Sequence, residues 1–404
     1  MKRSLKQGLM ISLILGLMFA VSFPGKGMAS DPGITKDQIL VGAYEPYSSP
    51  VAGLASQIEA GLMSYLNGIN EKGGIYGRKV KWMGEDDGYQ PTKTLAACKK
   101  LVEQEKIFAM LAAAGIPTTF AALSYLESRN VPQICPYAPL IQFEEPVKRN
   151  LFTITPSTER QYYFIADYGI KQLGAKKICI IWQAQPRTHI DYMIYRLKQS
   201  GLTLVGEEEY KIGQTDFSAI VAKFKRLNPD FCIVVTISVP GSLILKEAQK
   251  QGWKPSLGFM SHSTIYDPEF IRLVGSAGEG VRTIQLMKPP TESMDPEVVE
   301  FRERLEKYYP KKYTPSLFSM HGYASAKLFC EAMKKAGPDP TREKLITAIE
   351  SMTGVDIGFM RPLTFSPTQH LGVLFVRINQ LQNGKYIPIS DWVSLPEKMP
   401  YQIK

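Results

Sequence analysis

From Ile39 onward the chain alternates short apolar runs with stretches whose apolar residues recur every three or four positions. ILVGAY reads as a strand, and in VAGLASQIEAGLMSYLNGIN the residues Leu54, Ile58, Leu62, Tyr65 and Ile69 share one helical face. Gly73 and Gly74 supply the positive-φ positions that end this helix. KVKWMGED alternates as a strand, and Pro91, whose missing amide proton costs nothing at a helix start, opens PTKTLAACKKLVEQ. IFAMLAAAG, TTFAALSYLESRN and VPQICPYAP continue as strand, helix and strand. Such a βαβ series implies a parallel sheet with helices on both faces.

A second series begins near Glu159. ERQYYFIADYGIKQLG, HIDYMIYRLKQSG, DFSAIVAKFKRLN and GSLILKEAQKQG read as helices; KKICIIW, DFCIVVTI and LGFMSH read as strands, the first two apolar enough to be buried on both faces. Three further helices follow, PEVVEFRERLEKYY, SMHGYASAKLFCEAMKKAG and TREKLITAIESM. The strand-rich end LGVLFVRINQLQNGKYIPI carries a hairpin turn at QNGK. Two α/β series of similar size predict two doubly wound parallel-sheet lobes.

The first 29 residues stand apart. Lys2, Arg3 and Lys6 precede an apolar run from Leu9 to Phe23, and Gly27 and Ala29 are the small residues of a secretory cleavage site. No cysteine precedes Cys98, so no lipidation site is expected at the cleavage point, and the mature chain is expected free in the periplasm. Of the formal charge of +10, Lys2, Arg3, Lys6 and Lys26 contribute four, leaving +6 interspersed with acids. A nucleic-acid partner would call for a basic face or stripe, so none is expected. About 375 residues exceed what a single core usually supports, consistent with two lobes.

Cys98, Cys135, Cys179, Cys232 and Cys330 form no CxxC pair or metal-ligand cluster. Cys179 and Cys232 lie inside apolar runs, where a thiol packs as a small hydrophobe, and no disulfide is predicted. The sequence holds no GxSxG elbow, no phosphate loop ending in Lys-Ser/Thr, no HExxH and no GxGxxG after a strand. His189, His262, His321 and His370 are scattered over different elements, and GSAGEG at 275–280 has the wrong spacing for a dinucleotide fingerprint. No catalytic residue, metal ligand or cofactor is assigned. Asp86 and Asp87, between a strand and Gly88, are expected to hold a turn and favour the next helix N-terminus.

AGLMSYLNGINEKGGIYGRKVKWMGEDDGYQPTKT resembles the signature of the exported solute-binding proteins of ABC transporters for branched-chain amino acids and related ligands, the leucine-binding type. The match runs through helix, Asn-x-x-Gly-Gly-Ile-x-Gly-Arg, strand, paired acids and a proline before a helix. QTDFSAIVAKFKRLNPDFCIVV and FIRLVGSAGEGV extend it over essentially the whole mature chain. The resemblance implies lobes joined by three crossovers, with residues 30–155 and 285–356 in lobe 1 and 156–284 and 357–404 in lobe 2. It also implies a small-molecule solute in the cleft, ABC permease subunits as partners and a monomeric chain. Family members with a disulfide often place a cysteine near the acidic turn; Tyr89 stands there, in keeping with a reduced chain. The same clamshell serves in ligand-sensing receptors, and an exported α/β enzyme is a third reading.

Ligands of open parallel sheets lie beyond the carboxyl ends of strands, near helix N-termini. EPYSSPVAG, AAGIPTT, CPYAP, WQAQPRTH, VTISVPG and MSHSTIYD meet that condition. The candidate ligand-binding residues are Tyr47, Leu54, Thr118, Thr119, Tyr137, Ala138, Arg187, Ser238 and Ser263. Relative to the resembled amino-acid binders, Gly115, Ile116 and Pro117 replace a serine run and Ser263 stands near the position of their acid. A buried ammonium without a carboxylate partner costs several kcal/mol, on the order of a broken buried ion pair. The loops are therefore expected to suit a small aromatic or aliphatic carboxylic acid or a neutral amide better than a free α-amino acid.

Overall fold

The structure is a computed structural model that describes residues 31–399; the expected leader lies outside the described residues. The chain starts with β1 (Gln38–Glu45), α1 (Ala52–Glu71), β2 (Lys79–Asp86), α2 (Pro91–Lys99) and β3 (Ala109–Leu111). α3 (Ile116–Ser128), β4 (Gln133–Ile134), α4 (Ile141–Glu144) and β5 (Leu151–Phe152) complete the first sheet. Its order is β2-β1-β3-β4-β5 and every neighbouring pair is parallel. The order reverses between β1 and β3, the switch point where open sheets leave a crevice at their carboxyl edge.

The second lobe holds α5 (Thr158–Lys171), β6 (Ile178–Gln183), α6 (Thr188–Gln199), β7 (Leu204–Tyr210) and α7 (Ser218–Leu227). β8 (Phe231–Val235), α8 (Ser238–Lys250), β9 (Phe259–Ser261), α9 (Pro268–Val274) and β10 (Arg282–Gln285) follow. The chain then returns to the first lobe as α10 (Pro296–Tyr308), α11 (Leu317–Ala336) and α12 (Arg342–Glu350), and closes in the second with β11 (Phe375–Gln382), β12 (Lys385–Pro388) and β13 (Val393–Ser394). The second sheet runs β12-β11-β10-β9-β8-β6-β7, with β13 on β11. β6 to β10 are parallel, while β11 is antiparallel to β10 and to β12 across the Asn383-Gly384 turn, both at positive φ. The expected parallel lobes are therefore present, with an antiparallel extension on the second.

Four strands escaped the pattern reading, among them the two-residue β13. β7 carries Glu207, Glu208 and Glu209 at the sheet edge, where one side faces solvent and an apolar run is not required. β5 has two residues and β10 four, too short for a period-two signal. The first-lobe core also runs beyond residue 356: Ile357, Phe359, Met360, Leu363, Phe365 and Val373 pack with α1 and α11. By packing, the last crossing lies close to β11 rather than directly after α12.

The lobes are joined where the chain leaves β5, leaves β10 and approaches β11. The first and third crossings lie side by side, since the Thr153 N–H donates to the His370 carbonyl and the Gly372 N–H to the Thr153 carbonyl. The Lys288 N–H ties the second to Phe359. Beside them Arg160, 1% exposed at the start of α5, donates to Glu144, Glu145 and the carbonyls of Pro396 and Glu397, linking α4, α5 and the C-terminal segment. Within the first lobe α1 and α11 touch backbone to backbone: a Cβ on Gly61 would lie 1.7 Å from the Ser319 carbonyl oxygen, and one on Gly322 1.9 Å from that of Ile58.

Candidate functional site

A cavity of about 680 Å³, counted to its open mouth, lies between the lobes. Its walls follow from the sheets. Tyr137 comes just after β4, Ile154 and Thr155 after β5, Ser263 and Thr264 after β9, and Leu286 and Met287 after β10. Four strand ends thus deliver residues to one space, and two of the crossings form its floor. Ser316, Leu317, Phe318 and His321 from the start of α11 close the first-lobe side; Tyr266 and Asp267 close the other. A wider outer chamber shares Asp267, Ser316 and Phe318 and adds Arg272 and Lys312.

The apolar wall is aromatic. Tyr137 meets Phe318 edge to face with centroids 5.4 Å apart, and meets His321 at 5.0 Å. His321 is fixed at both nitrogens: Nε2 lies 3.1 Å from the Cys135 carbonyl, which requires the proton there, and Nδ1 accepts from the Thr155 hydroxyl at 3.3 Å. Burial holds the imidazole down to about 4, so it is neutral at pH 7. The same effect pushes the Tyr137 phenol up to about 12, so it faces the cavity as a neutral donor.

Asp267 is the one ionic group among the residues lining the inner cavity. It caps α9, accepting the Glu269 N–H, and its other oxygen accepts the Ser238 hydroxyl at 2.8 Å, at the first turn of α8. The carboxylate therefore lies at the start of two helices, a favourable place for negative charge. Each oxygen keeps a further lone pair for a ligand donor.

Of the residues singled out in the sequence, Tyr137 and Ser263 line the inner cavity, and Ser238 reaches it through Asp267. Leu54 packs against the first-lobe core. The Tyr47 hydroxyl donates to Glu59 at 2.8 Å. Ala138 is buried with Leu140, Phe143 and Leu151. Thr118 and Thr119 are fully buried, and their hydroxyls turn back onto the carbonyls of Ala114 and Gly115 in the first turn of α3. Arg187 pairs with Glu207 and Asp191 and lies over the Trp182 ring.

The acidic turn has a defined task. The Tyr89 N–H donates to Asp87 at 2.8 Å and the Thr94 hydroxyl at 2.9 Å, while Asp86 accepts from the amides of Ser48 and Gly88. Asp87 is buried rather than solvated. It presents Tyr89 to α3: a Cβ on Gly115 would lie 2.7 Å from that ring. Phe318, His321, Leu286 and Met287 were missed in the sequence, and Asp267, the last residue of the candidate segment MSHSTIYD, was not singled out there. Asp267 had a readable signal, the Asp-Pro-Glu start of a helix; the others follow unread short strands or belong to a helix distant in sequence.

Comparison with known proteins agrees with this architecture. The chain is 24% identical over 307 residues to the Leu/Ile/Val-binding protein homolog 1 of Brucella suis, spanning 76% of this chain and 80% of that protein. It is 23% identical over 308 residues to an amino acid binding protein of Pseudomonas aeruginosa, spanning 75% and 80%. A branched chain amino acid ABC transporter structure from Thermus thermophilus with bound valine superposes with a TM-score of 0.79 at 20% identity, covering 89% of this chain and 98% of that one. A fatty acid ABC transporter substrate-binding protein from Thermomonospora curvata gives 0.74 at 20% identity, covering 93% and 97%. The periplasmic binding protein family model matches residues 38–385, nearly all of both lobes, and the chain belongs to that family.

Proposed function

We propose that the protein is the extracytoplasmic solute-binding component of an ABC importer, acting as a monomer in the periplasm. It holds a small solute non-covalently between its lobes and presents the closed form to membrane permease subunits. The observation that carries this reading is the composition of the cavity wall: residues of both lobes and of two crossings meet there, so a solute touching all of them favours the closed arrangement. Family membership supports the same reading.

One arrangement in the wall has the outline of a catalytic pair, the Thr155 hydroxyl on His321 Nδ1. A base with a pKa near 4 is poorly matched to removing a proton from an alcohol at neutral pH, which favours binding without turnover. A thermal-shift screen over amino acids, aromatic acids, amines and short amides tests the proposal. A ligand at about 100 times its Kd should stabilise the native state by about 2.7 kcal/mol. Recovery of that ligand unaltered after denaturation is expected; chemical conversion of it would sink the binding reading.

A further inference from the structure

Resting on the reading of the inner cavity as the solute site, we infer that its ligand has an apolar body and an N–H-bearing amine or amide end directed at Asp267, with no carboxylate beside that end.

Three independent features lead there. First, the inner cavity contains Asp267 and, among the residues lining it, no lysine or arginine. A ligand carboxylate placed there would meet a like charge without a cation, in surroundings apolar enough to make the repulsion costly. Arg187, the cation expected nearby from the sequence, is committed to Glu207 and Asp191. The cations Arg272 and Lys312 belong to the outer chamber.

Second, the helix N-termini of α3, α8 and α9 are already served by the protein, and at α11 the Ser316 hydroxyl takes the Ser319 N–H. At α3 Pro117 has no N–H, and the Thr118 and Thr119 hydroxyls are spent on carbonyls of the same turn. The Tyr89 ring lies against Gly115, covering the approach. At α8 and α9 the anion is Asp267 itself, bound to the Ser238 hydroxyl and the Glu269 N–H. An incoming carboxylate would have to displace one of these arrangements.

Third, the remaining polar groups suit a neutral or cationic end. Among the described residues the Ser263 and Tyr137 hydroxyls have no hydrogen-bond partner, and both serve as donor or acceptor. The body of the ligand would lie along Phe318, Leu286 and Met287. An α-amino acid carries its carboxylate two bonds from its ammonium and so brings the disfavoured group to Asp267 with the favoured one.

Titration calorimetry on the full mature chain decides the matter with two matched sets: 3-methylbutylamine, 3-methylbutanamide, 3-methylbutanoate and L-leucine, and their phenyl counterparts 2-phenylethylamine, phenylacetamide, phenylacetate and L-phenylalanine. In at least one set, the amine and the amide should bind at least about tenfold tighter than the acid and the amino acid, a difference of about 1.4 kcal/mol. Asp267→Asn keeps the helix cap, because asparagine caps as well as aspartate. It should weaken the amine at least about tenfold while the amide stays within about threefold. Acid or amino-acid binding as tight as that of the amine overturns the inference and leaves the solute-binding proposal standing. Native mass spectrometry of the purified protein adds a probe-free reading. A carried solute bearing a carboxylate next to its polar end overturns the inference alone, whereas failure of every probe together with an empty protein overturns both.

Discussion

His321 and His262 are buried as neutral imidazoles, pushed down to about 4 and about 3, while burial pushes Glu159 up to about 8. Above pH 6.5 the histidines are neutral in folded and unfolded chains alike. Below it the unfolded chain takes up protons that the folded one refuses, so stability falls until the folded values are reached, by about 1.4 kcal/mol per pH unit for each group. Glu159 acts in the opposite sense: the folded state keeps its proton between about 8 and the unfolded value near 4.5, so stability rises as pH falls through that window. Glu45, Glu144 and Asp87, also raised by burial, share its sense and His189 shares that of the other histidines, so the contribution of His321 and His262, a decline on acidification from about pH 6.5 to about pH 4.5, is read by difference. Urea denaturation at several pH values measures it, and His321→Gln should make the decline shallower. Arg160 is a second residue with a sharp expectation. Its removal leaves Glu144 buried without its counter-ion, and Arg160→Ala should cost about 3–5 kcal/mol in the same assay. Neither environment was legible in the sequence, because burial and partners come from segments far apart: Arg160 meets carbonyls at Pro396 and Glu397. Thr118 and Thr119 show the same limit in reverse. Hydroxyls in a strand-to-helix loop look available for a ligand until the helix forms and their own turn consumes them.

Element by element, the sequence was most readable where apolar spacing is long and regular. The face Leu54, Ile58, Leu62, Tyr65 and Ile69 lies within α1, and the runs KKICIIW and DFCIVVTI contain β6 and β8, central in their sheet. The glycines within helices carried a meaning that periodicity does not show. Gly61 and Gly322 let α1 and α11 approach to backbone contact, which sets the position of Phe318 and His321 at the cavity. Gly322→Ala should force the helices apart, lowering stability by about 1–3 kcal/mol or more as an overpacked core does. If the contact positions the aromatic wall, the same variant should weaken the solute identified by calorimetry more than its loss of stability alone explains, when binding is measured well below the melting temperature. Unchanged affinity would restrict the glycines to a packing role.

For the whole molecule, the two-lobe division and the cleft were legible because two α/β series of similar size must each bury their own core. The walls of the cavity were only half legible: strand-end loops were found by rule, while the α11 wall arrives by a return of the chain that no local pattern announces. Closure around a solute should reduce the radius of gyration in solution, measured by small-angle X-ray scattering with and without the ligand; identical curves at saturation would remove lobe closure from the mechanism. The crossings paired through Thr153, His370 and Gly372 are where the bending should concentrate.

All five thiols lie in the interior unpaired, and burial lifts those of Cys98 and Cys135 to about 12, leaving almost no thiolate at neutral pH. The native chain is therefore close to silent toward maleimide dyes. A single cysteine placed on an exposed lip of either half, such as Phe120→Cys or Val239→Cys, becomes the reactive handle, and an environment-sensitive fluorophore there would report the opening and shutting of the two halves in real time without first stripping the natural thiols.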